Sequence, residues 1–368
     1  MAKYLTDELE LQSVANAIRA KGGTSESLAF PSGFVSAIEG IETGSSGDYS
    51  VEDGIIERTI SGVYENSRVT EIGRYAFIHC TSLTTASFPA CTSIGSSAFT
   101  NCSNLTTTSF SVCTNIGSNA FYNCRNLLSI YFPMCTNIGS NAFQKCTSLT
   151  IASFPVCTDI GYNAFDNDYA LTTANFPMCT NIDSSAFNNC TSLTTVSFPV
   201  CTNISSYAFC YCSRLTTVSF PVCTNIGNNG FFSCSRLTTI SFPACTNIGS
   251  SAFYNCSSLT TANFPACRTI NQGAFSVCFK LTTVSFPACT NISGYAFYNC
   301  QNLLSAYFMG SSIPSLANSN AFGSTPIADF TQLTHGVYGS IYVPASMLES
   351  YKTAANWSYF SDKFVGVE

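Results

Sequence analysis

Twenty-one cysteines in 368 residues are the side chains of this sequence best able to do chemistry, and their spacing decides which chemistry that is. Twenty of them alternate at 11-residue intervals in two series. One series runs from Cys80, Cys102 and Cys124 to Cys300, the other from Cys91 and Cys113 to Cys289; Asp168 fills one slot of the first, and Cys210 lies outside both. No C-x-x-C pair occurs and there are two histidines, His79 and His335, so a zinc or iron–sulfur site has no ligand set. If the segments stack, neighbours in one series sit about 5 Å apart, within the Cα range of a disulfide. Side chains projecting in parallel into a packed interior approach each other poorly for the required torsion. The expectation is therefore unbridged, buried thiols that act as small hydrophobes and weak donors to backbone, which implies assembly under reducing conditions such as a cytoplasm.

Other reactive groups are few. The repeated region holds four carboxylates, Asp159, Asp166, Asp168 and Asp183. Asp166 and Asp168 share a loop, and two carboxylates alone make a poor calcium site. No Gly-rich loop has the setting of a phosphate cradle; Gly73, Gly95 and Gly117 read as turn residues. No catalytic residue, metal or cofactor is expected, and the chain reads as a non-enzymatic binding or structural protein.

What positions these residues is a frame written eleven times. Ile72, Ile94, Ile116, Ile138, Ile160, Ile182, Ile204, Ile226, Ile248, Ile270 and Ile292 recur every 22 residues without insertion or deletion. Each opens the same apolar pattern, which in the first copy is Ile72, Ala76, Phe77, Cys80, Leu83, Ala86, Phe88 and Cys91. A fixed period of this length is the mark of a solenoid, in which a coil buries its apolar side only against its neighbours. Period-two alternation puts Ala86 and Phe88 inward and Thr85 and Ser87 outward, one short strand per turn in a parallel sheet. The returning IGSSAF half reads as a tight turn with 3₁₀ or extended backbone.

From Leu83 the frame reads L-x-x-A-x-F-x-x-C-x-x-I, which resembles the leucine-rich-repeat pattern. The longer run I-G-x-x-A-F-x-x-C-x-x-L-T-x-[VAI]-x-F-P-x-C-T-x, as in residues 182–203 apart from Asp183 at the glycine position, resembles the BspA-type leucine-rich repeat. That resemblance implies a repeat solenoid with a parallel sheet on its concave face and turns, 3₁₀ or extended backbone on its convex face. Its known members are bacterial surface adhesins, protist proteins and prophage-encoded proteins.

Four divisions follow. Residues 1–43 read as a small helical module, with Asp7 and Glu10 at a helix start, Leu11, Val14, Ala15 and Ile18 on one face, and a second short helix through Phe34, Ile38 and Ile41. So small a core is expected to pack on a partner or on a copy of itself. The string LTDELELQSVANAIRAKGGTSESLAFPSGFVSAIEGI resembles the N-terminal segment of prophage tail-module proteins of Gram-positive bacteria, which implies docking on virion or tail proteins. Residues 44–71 read as a Gly/Ser linker and a polar N-terminal cap, and 72–308 as the eleven repeats. Residues 309–368 read as a variant coil and a C-terminal cap, with a strand at Ser340–Val343, a helix from Ala345, and Tyr351, Trp357, Tyr359 and Phe360 as apolar cover.

Charge narrows the partners. The repeats carry 7 bases and 4 acids over 237 residues, too few cations for a nucleic-acid footprint. No run of 18 apolar residues occurs, so no membrane insertion is expected, and residues 1–6 carry no apolar run of the secretory type. The outward strand positions are nearly uniform rows of Thr and of Ser or Asn, interrupted by Tyr131 and Tyr307. The positions after each Ala-Phe pair vary, and there stand Tyr122, Tyr211, Arg214, Phe232, Arg236, Tyr254 and Tyr298. Aromatics and arginines anchor interfaces, so these nine residues are the candidate ligand-binding set, for a host-cell surface protein or glycan. The resemblances together imply a phage or prophage tail-associated host-recognition protein, carried on the virion and assembled in the bacterial cytoplasm. The alternative is a BspA-like adhesin on the bacterial cell surface that binds host matrix proteins.

Overall fold

The structure, a computed structural model, describes residues 49–51, 60–328 and 339–368. The helical module expected at 1–43, the start of the linker and much of the expected N-terminal cap lie outside the described residues.

Each 22-residue segment makes one coil and contributes two short strands rather than the single strand expected. In one coil these are Thr107–Ser109 and Asn115–Ile116. The two-residue strands form the more continuous surface, a 13-stranded parallel sheet from Tyr49–Val51 to Ser315–Leu316. Ile72 pairs with Ile94 and Ile94 with Ile116, and the ladder runs on to Ile270 with Ile292 and Ile292 with Leu316. The isoleucines thus stand in single file through the whole array. The three-residue strands pair in the same 22-residue register, for instance Val196 with Val218, but in sheets of three, two, six and three strands. Proline follows the inward phenylalanine in most coils and has no N–H to give a ladder, but the strands Thr107–Ser109 and Ser305–Tyr307, followed by Ser111 and Met309 in its place, are equally short.

Between the strands the chain turns without 3₁₀ helix; within the described residues that geometry first appears at Ser319–Phe322, in the variant coil. Two positions per coil are left-handed, as at Asn119 (φ 58°) and Asn123 (φ 61°). Asparagine tolerates that region better than other residues with a side chain, which accounts for its recurrence there. Turn backbone is also bonded from coil to coil: Phe77 N–H donates to the Ala98 carbonyl at 2.7 Å, and Phe99 N–H to Ala120 at 2.7 Å. Gly117 has a reason beyond the turn role expected of it. A Cβ there would lie 2.6 Å from the Ser96 backbone nitrogen of the preceding coil, so two backbones approach closely at this point, although sister coils accommodate Asp183, Ser205, Asn271 and Ser293 in the same slot.

The interior is two columns of stacked phenylalanines flanked by the cysteine, alanine, leucine and isoleucine files, all buried. Phe165 and Phe187 stack at 5.2 Å and 4° in one column, Phe198 and Phe220 at 5.4 Å and 9° in the other, and rings of the two columns meet at steep angles. Offset stacking within a column and edge contact between columns are the arrangements an aromatic quadrupole favours.

Among the described residues, both end coils carry aromatic cover. Tyr64 covers the first rings, 5.4 Å from Phe77 and 5.6 Å from Phe88. At the other end Leu316 and Phe322 continue the isoleucine and phenylalanine files. The strand Ser340–Pro344 pairs with Ser305–Tyr307 and is itself covered by Phe364–Val367. Trp357 is buried against Phe308 with its indole N–H on the Pro314 carbonyl at 2.7 Å, and Tyr351 and Phe360 are buried beside it. Tyr359, expected to share in this cover, is 63% exposed because the short Trp357–Phe360 helix turns Trp357 and Phe360 inward and leaves Tyr359 on its outer side.

Candidate recognition surface

The cysteines settle into structural roles. All 21 are buried and none is in a disulfide. In the first series each thiol from Cys102 onward donates to a phenylalanine carbonyl 25 residues earlier, as Cys212 to Phe187 and Cys234 to Phe209, both at 3.2 Å. In the second series the thiol donates two residues ahead, as Cys223 to Asn225 at 3.2 Å. Burial pushes the Cys91 thiol up to about 11 and that of Cys210 to about 12, which removes the thiolate needed for nucleophilic or redox chemistry. Among the described residues no group of three His, Cys, Asp or Glu side chains is placed to hold a metal. Asp166 is enclosed by amides, accepting from Gln144 at 2.6 Å, Asn167 at 2.7 Å and Asn188 at 2.8 Å. Its neighbour Asp168 is fully buried in the cysteine file.

The outer faces are ladders of short polar side chains. Threonine hydroxyls donate to the backbone carbonyl of the residue one coil earlier, as Thr202 to Thr180 at 3.4 Å and Thr224 to Thr202 at 3.1 Å. Asparagines join into chains, Asn225 to Asn203 at 2.8 Å and Asn247 to Asn225 at 2.8 Å. A side chain bonded to its own kind one coil away is largely spent on the fold.

The turn edge departs from this uniformity. Tyr211 meets Phe232 edge-on at 5.5 Å, and Phe232 stacks on Tyr254 at 4.8 Å and 8°, a continuous aromatic strip across adjacent coils. Tyr211 is 47% exposed and sits at a left-handed position (φ 60°) where most sister coils carry asparagine, the others being His79, Lys145, Ser233 and Val277. Arg214 and Arg236 are exposed, one coil apart in the same slot, and neither makes an ion pair; the ion pairs among the described residues are Lys352 with Glu349 and Lys363 with Asp362. Tyr298 stands farther along the same edge, 5.5 Å from Tyr295.

The remaining candidates are not gathered there. Tyr122 lies on the edge several coils earlier, its hydroxyl taking a hydrogen bond from Lys145 at 3.0 Å. Tyr131 is isolated at the end of its strand and 61% exposed. Tyr307 is stacked at 4.4 Å on Tyr342 of the end piece, so one of its faces is already covered. Tyr207 and Tyr295, exposed and left-handed like Tyr211, and Lys280, in the slot of Arg214 and Arg236, escaped the sequence reading. The signal was present: each replaces the small polar residue that sister copies carry.

The family model for the BspA type leucine rich repeat region, in six copies, matches residues 70–194, 114–222 and 202–328. No curated protein matches the chain. Among solved structures the chain is similar to a leucine rich cell surface protein from Faecalibacterium prausnitzii, at 23% identity over 84% of this chain and 92% of that one, with a TM-score of 0.46. It is similar also to a leucine-rich repeat protein from Bacteroides ovatus, at 21% identity over 84% and 94% of the two chains and a TM-score of 0.49. An internalin from Listeria monocytogenes is more distant, at 15% identity over 72% and 75% with a TM-score of 0.34. Matched over most of its length by the repeat model, the chain belongs to the BspA type leucine rich repeat family.

Proposed function

We propose that this protein is a host-recognition protein of a phage or prophage tail, holding the virion by its N-terminal segment and meeting the host surface with the turn edge of its repeats. The observation that carries the recognition role is the strip Tyr211, Phe232 and Tyr254, with the exposed Arg214 and Arg236 following Tyr211 and Phe232 by three and four residues and making no ion pair. Interior side chains are dictated by packing and ladder side chains by their bonds, so aromatic and cationic replacements on an edge that needs neither call for a partner. The tail role is supported by the resemblance of residues 5–41 to prophage tail-module proteins and by buried thiols suited to assembly in a reducing compartment. Mass spectrometry of purified particles tests it: the protein is expected among the tail components. The second reading, a surface adhesin, is favoured by the family itself. Recovery of the protein from the producing cell's wall and its absence from particles would establish that reading and overturn the first.

A further inference from the structure

The charges of the array are sorted along its axis. All four of its acids, Asp159, Asp166, Asp168 and Asp183, precede residue 184; from there to residue 328 the chain carries Arg214, Arg236, Arg268 and Lys280 and no acid at all. Three of these cations, Arg214, Arg236 and Lys280, occupy one slot of the repeat and are exposed, with Ser258 between the last two. At roughly 4.8 Å per coil the two arginines stand about one strand spacing apart and the lysine about two spacings farther on. Like charges so placed repel one another, and no carboxylate in this half of the array relieves them. The aromatic strip from Tyr211 to Tyr254 spans the same coils, with Tyr211 three residues before Arg214, Phe232 four before Arg236, and Tyr298 two coils beyond Tyr254.

We propose that this edge binds an acidic polysaccharide, a chain of pyranose rings carrying an anionic group at regular intervals. The inference rests on the reading of the turn edge as the recognition surface and names the ligand class it takes. A guanidinium presents a planar pair of donors that fits a carboxylate or sulfate in two-point fashion. An aromatic ring takes the C–H face of a sugar by apolar contact while the sugar's hydroxyls stay solvated. A solenoid repeats both at the coil spacing, so a repeating polymer gains one contact after another along a single line. A nucleic acid would ask for more: its phosphates follow one another too densely for four cations spread over this half of the array. An acidic protein surface does not supply the regular spacing.

The test uses the full chain on immobilised polygalacturonate, dextran sulfate, neutral dextran and poly-uridylate. Binding is expected to both acidic polysaccharides, to fall as salt rises, and to be absent on dextran. The double variant R214Q/R236Q is expected to weaken it at least tenfold and F232S/Y254S at least fivefold, each with an unchanged thermal midpoint. R74Q/R125Q, which removes the same charge from the other half of the array, is expected to stay within twofold of the parent. Equal losses in the two arginine doubles would reduce the effect to general electrostatics and overturn the proposal, as would tighter binding to poly-uridylate. Equal binding to dextran would overturn the acidic assignment and leave the recognition edge standing. If no polymer binds, yet R214Q/R236Q and F232S/Y254S still impair adsorption to host cells, the ligand class is wrong and the edge is right. If adsorption is also unimpaired, both fall.

Discussion

Asp168 accepts a hydrogen bond from the backbone N–H of Cys146 at 2.8 Å with one carboxyl oxygen and keeps the other fully buried without a partner. In the sister coils this slot holds a thiol that donates to a phenylalanine carbonyl, as Cys190 does to Phe165 at 3.2 Å. Burial, reinforced by Asp166, raises the Asp168 carboxyl well above the usual range. Burial of a carboxyl oxygen with no partner disfavours the charged form, so the site holds the proton of Asp168.

The sign of the pH effect follows. The folded state holds this proton more tightly than the unfolded chain does, so stability is greatest below the unfolded value near 4 and declines as pH rises from there toward the raised folded value. The slope from one such group is at most about 1.4 kcal/mol per pH unit. Asp168→Cys is expected to flatten the curve, matching the parent near pH 4 and exceeding it at pH 8. Denaturation midpoints at several pH values check this; parallel curves for parent and variant would show that Asp168 folds without a proton preference.

Thiol chemistry should be silent in the native protein. With every cysteine buried and burial pushing Cys91 to about 11 and Cys210 to about 12, a disulfide reagent at pH 8 is expected to label almost nothing in minutes. All 21 should react once the chain is denatured. Fast labelling of several native thiols would mean that the files open in solution.

Removing one ring from the middle differs from removing one at the end. Phe187→Ala loses stacking on Phe165 at 5.2 Å and Phe209 at 5.3 Å and leaves a cavity, a loss of about 3–5 kcal/mol. Trp357→Ala removes the cover over Phe308 and the bond to Pro314, so faster hydrogen exchange is expected first in the coils nearest residue 308. Uniform loss of protection along the array would contradict an end-capping role.

Tyr211 offers a separation of stability from recognition. Its φ of 60° suits the asparagine found at this slot in other coils, and a bulky side chain there stores about 1 kcal/mol of strain. Tyr211→Asn is expected to raise the thermal midpoint slightly while lowering adsorption to host cells. A variant that is both more stable and equally adsorbed would take Tyr211 out of the surface.

The stack itself was legible because the interior repeats without slippage: Ile72 through Ile292 mark the register, and the structure pairs them neighbour to neighbour. The second sheet was not, since a strand of two residues such as Asn225–Ile226 shows no alternation to read. Left-handed turns at Asn119 and Asn123 left only a compositional trace. For Tyr307 the obstacle was distance, because Tyr342 reaches it from an end piece in which the 22-residue period no longer says which residues meet. On the turn edge, sequence comparison among coils found Tyr211, Phe232 and Tyr254 as separate oddities, and only three dimensions joined them into a strip.

Leu316 takes up the ladder after Ile292 although 24 residues, not 22, separate them. The terminal lid is thus attached by strand pairing and not by how far along the chain it lies. The protein can lengthen or shorten by whole coils and still be shut by the same lid, which makes its reach adjustable in steps of about 5 Å. Loss of half a coil would have no such refuge, since it would set phenylalanine files against the wrong neighbours from that point onward.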